Sequence, residues 1–93
     1  MMNDNVARGC AYLDVEIGTD WPYRIDTTTL DMSDYNHCVM GQLTGLGYWV
    51  EFGGTDHPVE HGFDLPYFAD DREWEELNAA WINAIVARRS IGA

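Results

Sequence analysis

The sequence predicts a mainly α-helical fold, a small single-domain bundle of three to four helices with an irregular connector. Apolar residues recur at helical spacing near both ends of the chain, and capping residues and glycines bound those segments. No internal repeat or low-complexity stretch divides the 93 residues. Because 46% of the residues are apolar and four are Trp, the chain can build one core. Residues 1–93 are therefore expected to form one domain.

The first helix is expected over about residues 5–17, with Gly18 in the left-handed position just past its end. Gly9 lies inside this helix at a cost of about 1 kcal/mol relative to alanine. That cost is explained if another helix crosses closely at Gly9. The apolar stripe has spacings of four, three and four residues: Val6, Cys10, Leu13 and Ile17.

Helical periodicity is lost over residues 19–34, where a Trp-Pro step, three threonines and several aspartates favour turns and caps. An extended piece at residues 30–32 fits this pattern, although it does not predict a sheet. The apolar residues of the connector are expected to pin it to the core: Trp21, Tyr23, Ile25, Leu30 and Met32.

The next segment predicts a largely buried helix that is capped by Ser33 or Asp34, runs to about Leu43 and is stopped by Gly45 and Gly47. Within it, Gly41 allows close approach and Cys38 fills space. A buried Gln42 must find partners for its amide, so it is expected to bond the connector backbone. The block is thus interpreted as packing scaffold, docked against the last helix, and not as a reactive site.

Two further helices are expected. A short helix has Pro58 at its first position and ends at Gly62. The last helix opens with a capping box of Asp70 and Glu73, and its acidic start and basic end suit the helix dipole. One face is apolar: Trp74, Leu77, Trp81, Ala84 and Ile85.

Charge sets limits on function. Sixteen Asp and Glu residues face five Arg and no Lys, which gives a net charge of −11. Such a chain is not expected to bind nucleic acid directly or to adhere to anionic membranes, whereas it can be steered towards a basic partner surface. No signal peptide or membrane-spanning run is visible, so a cytoplasmic location is expected, with Cys10 and Cys38 reduced and buried.

The sequence contains residue types for two kinds of reactive site, a zinc site and a cysteine nucleophile. His57 and His61 are four residues apart and His37 adjoins Cys38, and all are zinc-binding residue types. Pro58 and Gly62 leave little regular helix to align the histidine pair, so no metal or cofactor is expected. Cys38 as a nucleophile is disfavoured, because apolar surroundings raise a thiol pKa and His37 points about 100° away on a helix. No catalytic residue is assigned, and the chain is not expected to be an enzyme.

Several blocks occur in order along nearly the whole chain: "RGCAYLD", "IDTTTLDM", "CVMGQLTGLGYW", "HGFD" and "LNAAWINAIVARR". In these blocks the chain resembles a family of small uncharacterised proteins from actinobacteria and actinobacteriophages of the mycobacteriophage type, which share a C-V-x-G-Q-L block. It departs from that pattern at "WVEFGGTDHPVEH" and in having Cys10 in place of alanine. The resemblance implies a small phage-type protein in the bacterial cytoplasm, and it implies no catalytic residue.

The functional prediction is therefore a small acidic phage-type protein that binds a host protein. The alternative is an acidic DNA mimic that occupies a nucleic-acid-binding protein. Aromatic residues are enriched at binding hot spots, although here they can equally complete a small core. The predicted partner-binding residues are one aromatic segment and the alanine-rich face of the last helix: Tyr48, Trp49 and Phe52, with Ala79, Asn83 and Val86.

Overall fold

A computed structural model describes residues 2–34, 36–45 and 57–92 of the chain. The elements in chain order are α1 (Met2–Glu16), a 3₁₀ turn (Trp21–Arg24), α2 (Val39–Thr44), α3 (His57–Glu60) and α4 (Asp71–Gly92). No strand occurs within the described ranges, and the prediction of a small, mainly α-helical domain is confirmed. Of the helices in these ranges, none has the length and apolar character needed to cross a membrane.

The helices end close to where the sequence predicts, whereas α1 begins at Met2, three residues before the expected start near residue 5. The glycines expected to stop helices, Gly18, Gly45 and Gly62, have φ values of 119°, 76° and 73°, a region that favours glycine. At the start of α4, the backbone N–H of Glu73 donates to Asp70 Oδ1 at 2.9 Å, so the predicted cap at Asp70 is confirmed. The short helix α3 begins one residue before Pro58 instead of at it.

Gly9 is the point where α1, α4 and the segment after α3 meet. A Cβ atom built at Gly9 would lie 2.1 Å from the His61 carbonyl oxygen and 2.9 Å from the Trp81 ring. The Trp81 indole N–H also donates to the Gly62 carbonyl at 2.6 Å. The predicted close crossing is therefore confirmed, and Trp81 of α4 is the side chain that approaches.

The core fills the space between α1, the 3₁₀ turn, α2 and α4. The Phe63 and Trp81 rings stack with centroids 5.4 Å apart, and Trp21 meets Trp81 edge-to-face at 6.1 Å. Cys10 and Cys38 are both buried and form no disulfide bond, as predicted. The buried apolar residues include most of the predicted stripes of α1 and α4 and most of the connector residues: Val6, Cys10, Leu13, Trp21, Ile25, Leu30, Met32, Cys38, Val39, Met40, Leu43, Phe63, Leu77, Trp81 and Ile85. The stripe residues Ile17, Trp74 and Ala84 are only partly buried and pack against this core.

The start of the second helix was predicted wrongly. Its N-cap is Cys38, whose Sγ accepts the Gly41 N–H at 3.2 Å, and not Ser33 or Asp34. Asp31 and Asp34 instead accept hydrogen bonds from backbone N–H groups two residues ahead, at 3.0 and 2.8 Å. Such local side-chain bonds offer the backbone an alternative to a helix. The chain therefore turns before Cys38, and α2 has six residues.

Gln42 bonds the connector as predicted, although it is half-buried and not buried. Its Oε1 accepts the Asp26 N–H at 2.7 Å, and its Nε2 donates to the carbonyls of Asp26 at 3.2 Å and His37 at 3.0 Å. The segment around Gly41 and Gln42 was expected to dock on the last helix. In the structure α2 packs mainly against the 3₁₀ turn, and the 3₁₀ turn packs against α4, so the docking is largely indirect.

Candidate functional site

All five arginines lie in the described residues, and two of them cap short helices. Arg8 Nε donates to the carbonyl of Glu60, the last residue of α3, at 2.9 Å. Arg24 Nη2 donates to the carbonyl of Leu43 near the end of α2 at 3.4 Å. Carbonyls at helix C-termini lack intrahelical partners and carry partial negative charge, so an arginine there stabilises the helix end.

Arg88 belongs to an arginine cluster that we define as Asp14, Trp21 and Arg88. Asp14 Oδ2 lies 2.9 Å from Arg88 Nη1, and Asp14 Oδ1 accepts the Trp21 indole N–H at 2.8 Å. The Arg88 guanidinium also lies 6.0 Å from the centroid of the Trp21 ring, within cation–π range. The cluster joins α1, the 3₁₀ turn and α4, and in it each polar group has a partner.

Arg89 ties the end of α4 to the 3₁₀ turn. Its guanidinium donates to the Pro22 carbonyl at 2.9 Å and to the Ile25 carbonyl. In return the Tyr23 hydroxyl donates to the Arg89 carbonyl at 2.9 Å. Tyr23 was predicted to pin the connector to the core, but 53% of it is exposed, and its hydroxyl instead bonds the end of α4. The four arginines other than Arg72 thus serve the fold.

The remaining arginine, Arg72, pairs with Glu76 at 3.5 Å on the outside of α4, where its side chain is 85% exposed. Such surface pairs contribute little to stability. Because the chain has 16 Asp and Glu residues against five Arg, the exposed ionised groups of the described residues are mostly carboxylates. Several of these lie at the start of α4: Asp70, Asp71, Glu75 and Glu76.

Directly before this acidic start lies an exposed aromatic turn, which we define as residues 66–69. The Ala69 N–H donates to the Pro66 carbonyl at 2.9 Å, which closes the turn. Tyr67 is 100% exposed and Phe68 is 72% exposed, and their rings meet edge-to-face with centroids 5.5 Å apart. Upstream, Phe63 is buried and Leu65 packs against the core, so the chain leaves the core just before the two rings.

The aromatic turn is the place where two large exposed apolar side chains adjoin in sequence and touch. The other large apolar residues found exposed in the described ranges are spread along the chain: Val15 on α1, Tyr23 in the 3₁₀ turn and Val86 on α4. Single exposed apolar residues are common on protein surfaces, whereas contiguous exposed apolar patches mark interaction sites. We therefore take the aromatic turn as the candidate functional site.

Only some of the predicted partner-binding residues lie in the described part of the chain. Tyr48, Trp49 and Phe52 lie outside the described residues. Ala79, Asn83 and Val86 are exposed on α4, and Val86 retains 50% of its accessible surface. Sequence reasoning missed Tyr67 and Phe68. The available signal was an aromatic pair placed between a proline and a helix-capping aspartate, where a turn is expected.

Several side chains considered for metal binding or nucleophilic chemistry are buried or bonded to neighbours within the fold. Burial raises the pKa of the Cys38 thiol, as predicted, and also that of Cys10, where the nearby Arg88 opposes only part of the shift. The His37 Nδ1 lies 3.0 Å from Asp34 Oδ2. The Asn36 N–H and then His37 lower the pKa of Asp34. In the described part of the chain, no three His, Cys, Asp or Glu residues gather as metal ligands would.

Comparison with known proteins adds no relative. No protein-family model matches the chain, no curated protein matches it, and no solved structure matches its fold.

Proposed function

We propose that this chain acts by binding another protein through the aromatic turn, as a small phage-type product that binds a host protein and performs no catalysis. The observation that carries the proposal is the full exposure of Tyr67 beside Phe68, in contact with each other and outside the core. The actinobacteriophage origin and the cytoplasmic location belong to the same proposal and rest on the sequence resemblance.

Exposed aromatic rings favour association. Burying a side chain such as Phe from water contributes about 1.5–3 kcal/mol, and Tyr is among the residue types enriched at binding hot spots. The turn is closed by its own backbone hydrogen bond and is followed directly by the Asp70 cap. Because hydrogen bonds hold the backbone of the turn and of the cap that follows it, little backbone entropy is lost on docking, and the remaining entropic cost is that of ordering the two side chains.

Affinity capture with matched variants tests this function. The purified chain, a Y67A/F68A double variant and a V15A variant are each immobilised and exposed to actinobacterial lysate. Val15 is 81% exposed and apolar but isolated on α1, so V15A controls for the loss of any exposed apolar side chain. We expect one protein to be retained by the native chain and V15A and to be lost from Y67A/F68A. Equal retention by all three chains contradicts a role for the turn.

An N83R variant tests the second predicted surface, the face of α4 that carries Ala79, Asn83 and Val86. Asn83 is exposed, so the longer, charged side chain is accommodated in the free protein. If this face docks, N83R loses the partner and Y67A/F68A retains it. We expect the opposite pattern.

The alternative function, DNA mimicry, has one observation in its favour. The chain has 16 Asp and Glu residues against five Arg, of which Arg88 is paired with Asp14, so the described surface is predominantly acidic. A mimic would bind its partner through these carboxylates, so the partner would be displaced by duplex DNA and retained by Y67A/F68A. Loss of the partner from Y67A/F68A, without displacement by DNA, favours docking through the aromatic turn.

A further inference from the structure

The charge around the aromatic turn narrows the chemistry of its partner. Asp70 and Asp71 follow the turn and are exposed, and Asp64 precedes it. The basic residue nearest in sequence, Arg72, is already paired with Glu76. A partner group that approaches the rings therefore enters a region of negative potential, which attracts cations and repels anions.

The two rings themselves favour a cation. The two ring planes are inclined by 81° and the centroids are 5.5 Å apart. In this edge-to-face arrangement the edge of one ring meets one face of the other, and the remaining ring faces stay uncovered by the pair. Ring faces carry negative electrostatic potential and attract cationic groups. Tyr67 and Phe68 are both exposed, so a partner side chain has access to these faces.

From these observations we infer that the aromatic turn binds an arginine side chain of its partner. This inference rests on the proposed function, which it makes more specific. A planar guanidinium stacks on a ring face and at the same time donates paired hydrogen bonds to a carboxylate, which an ammonium group does not do. Asp71 is exposed, lies two residues after the turn, and is the carboxylate that the inference assigns to this role. The partner surface is thus basic, with an arginine at its centre.

The experiment is an NMR titration of the full-length chain with three acetylated, amidated glycine peptides. They carry two arginines, two citrullines or two leucines at the same positions. Citrulline has nearly the shape of arginine without its charge. We expect the arginine peptide to shift the ring resonances of Tyr67 and Phe68, and to bind about fivefold or more tightly than the citrulline peptide.

The Y67A/F68A and D71N variants distinguish specific binding from general attraction. Y67A/F68A keeps the net charge of −11, so equal binding of the arginine peptide to this variant shows attraction to the acidic surface alone and overturns the inference. D71N is expected to weaken arginine binding and leave leucine binding unchanged. Equal affinities for arginine and citrulline, or an absence of ring shifts, also overturn it.

The failure of this inference is distinguishable from failure of the proposed function. If the leucine peptide shifts the Tyr67 and Phe68 resonances and the arginine peptide does not, the turn docks an apolar group and only the arginine assignment is wrong. If the lysate partner is retained by Y67A/F68A, the proposed function itself is wrong, whatever the peptides do.

Discussion

In the arginine cluster, the Trp21 indole, the Asp14 carboxylate and the Arg88 guanidinium contact one another, and the indole is fully buried. In the aromatic turn, Tyr67 and Phe68 also lie close in sequence to charged residues, yet both rings are exposed and meet edge-to-face. Aromatic and charged residues thus stabilise the fold in one region and form an exposed apolar surface in the other. Burial and satisfied polar partners, and not residue type, therefore separate scaffold from candidate interface.

The scaffold side of this comparison is tested most strongly at Gly9. The Cβ atom of a G9A variant would lie 2.1 Å from the His61 carbonyl oxygen, so the backbone must move. Overpacking of this kind costs up to about 3 kcal/mol, which exceeds the gain of about 1 kcal/mol in helix propensity. We expect G9A to unfold at markedly lower urea concentration than the native chain.

Gly45→Ala is the matched control for G9A. Gly45 has φ of 76°, and among the described residues no heavy atom lies within 4 Å of the added Cβ, so the substitution introduces backbone strain. That strain costs about 1–2 kcal/mol. If G45A destabilises the chain as much as G9A does, the close crossing at Gly9 is not the reason for its glycine.

The arginine cluster should give the next largest effect. Asp14→Ala removes the acceptor of the buried Trp21 N–H and the partner of Arg88, and an unsatisfied buried donor costs about 1–3 kcal/mol. We expect a loss of about 2 kcal/mol in the free energy of unfolding, measured by urea denaturation. Glu76→Ala, which breaks the exposed pair with Arg72, should change it by less than about 0.5 kcal/mol. Equal effects from the two variants would contradict the distinction between this partly buried pair and the exposed pair of Arg72 and Glu76.

Removal of the Gln42 amide should cost about 1 kcal/mol. Gln42→Ala loses three hydrogen bonds to the backbone at Asp26 and His37, but the side chain is only half-buried, so water partly replaces them. Gln42→Glu should not restore stability, because a carboxylate accepts from the Asp26 N–H but cannot donate to the two carbonyls. Native stability in Gln42→Glu would show that these donor bonds are not needed.

Alkaline pH should destabilise the fold through the cysteines. Burial raises the folded-state pKa of Cys10 and Cys38, so above the usual thiol pKa the unfolded chain loses protons that the folded chain keeps. The stabilisation is fully present below the unfolded pKa and is lost as pH rises through the folded pKa. In a Cys38→Ser variant this alkaline dependence of the unfolding free energy should become shallower. An unchanged slope would show that Cys38 does not contribute.

The smallest expected effect on stability is that of the aromatic turn. In Y67A/F68A the removed rings are exposed and pack against no core residue, so the free energy of unfolding should change by no more than about 0.5 kcal/mol. V15A, which removes an exposed apolar group from α1, should behave alike. If Y67A/F68A lost as much free energy of unfolding as Asp14→Ala, the two rings would be part of the stabilising core. The basis for a binding role would then be removed.

Local signals predicted the helical fold well because they act over a few residues. The stripe of α1, the Asp70 cap, the close approach at Gly9 and the backbone bonds of Gln42 all follow from spacing or from the needs of one side chain. The start of α2 could not be predicted in this way, because the hydrogen bonds of Asp31 and Asp34 with the backbone before Cys38 compete with helix formation.

The candidate site was not predictable in the same way. Tyr and Phe are residue types that also fill protein cores, so residue type alone did not mark Tyr67 and Phe68 as exposed. Whether an aromatic ring is buried depends on long-range packing, and the same holds for Tyr23. Trp21 and Tyr23 illustrate this, since both occur in the 3₁₀ turn but the first is fully buried and the second is 53% exposed. The uses of the arginines likewise depend on contacts between distant segments, such as Arg89 with Pro22.

Site-specific photo-crosslinking tests the binding role of the aromatic turn most directly. The photoreactive amino acid p-benzoylphenylalanine replaces Tyr67 in one chain and Val15 in another, and each chain is irradiated in actinobacterial lysate. We expect one discrete adduct with a lysate protein from position 67 and none from position 15. No adduct from position 67, or the same adducts from both positions, would contradict the assignment of the aromatic turn as the binding surface.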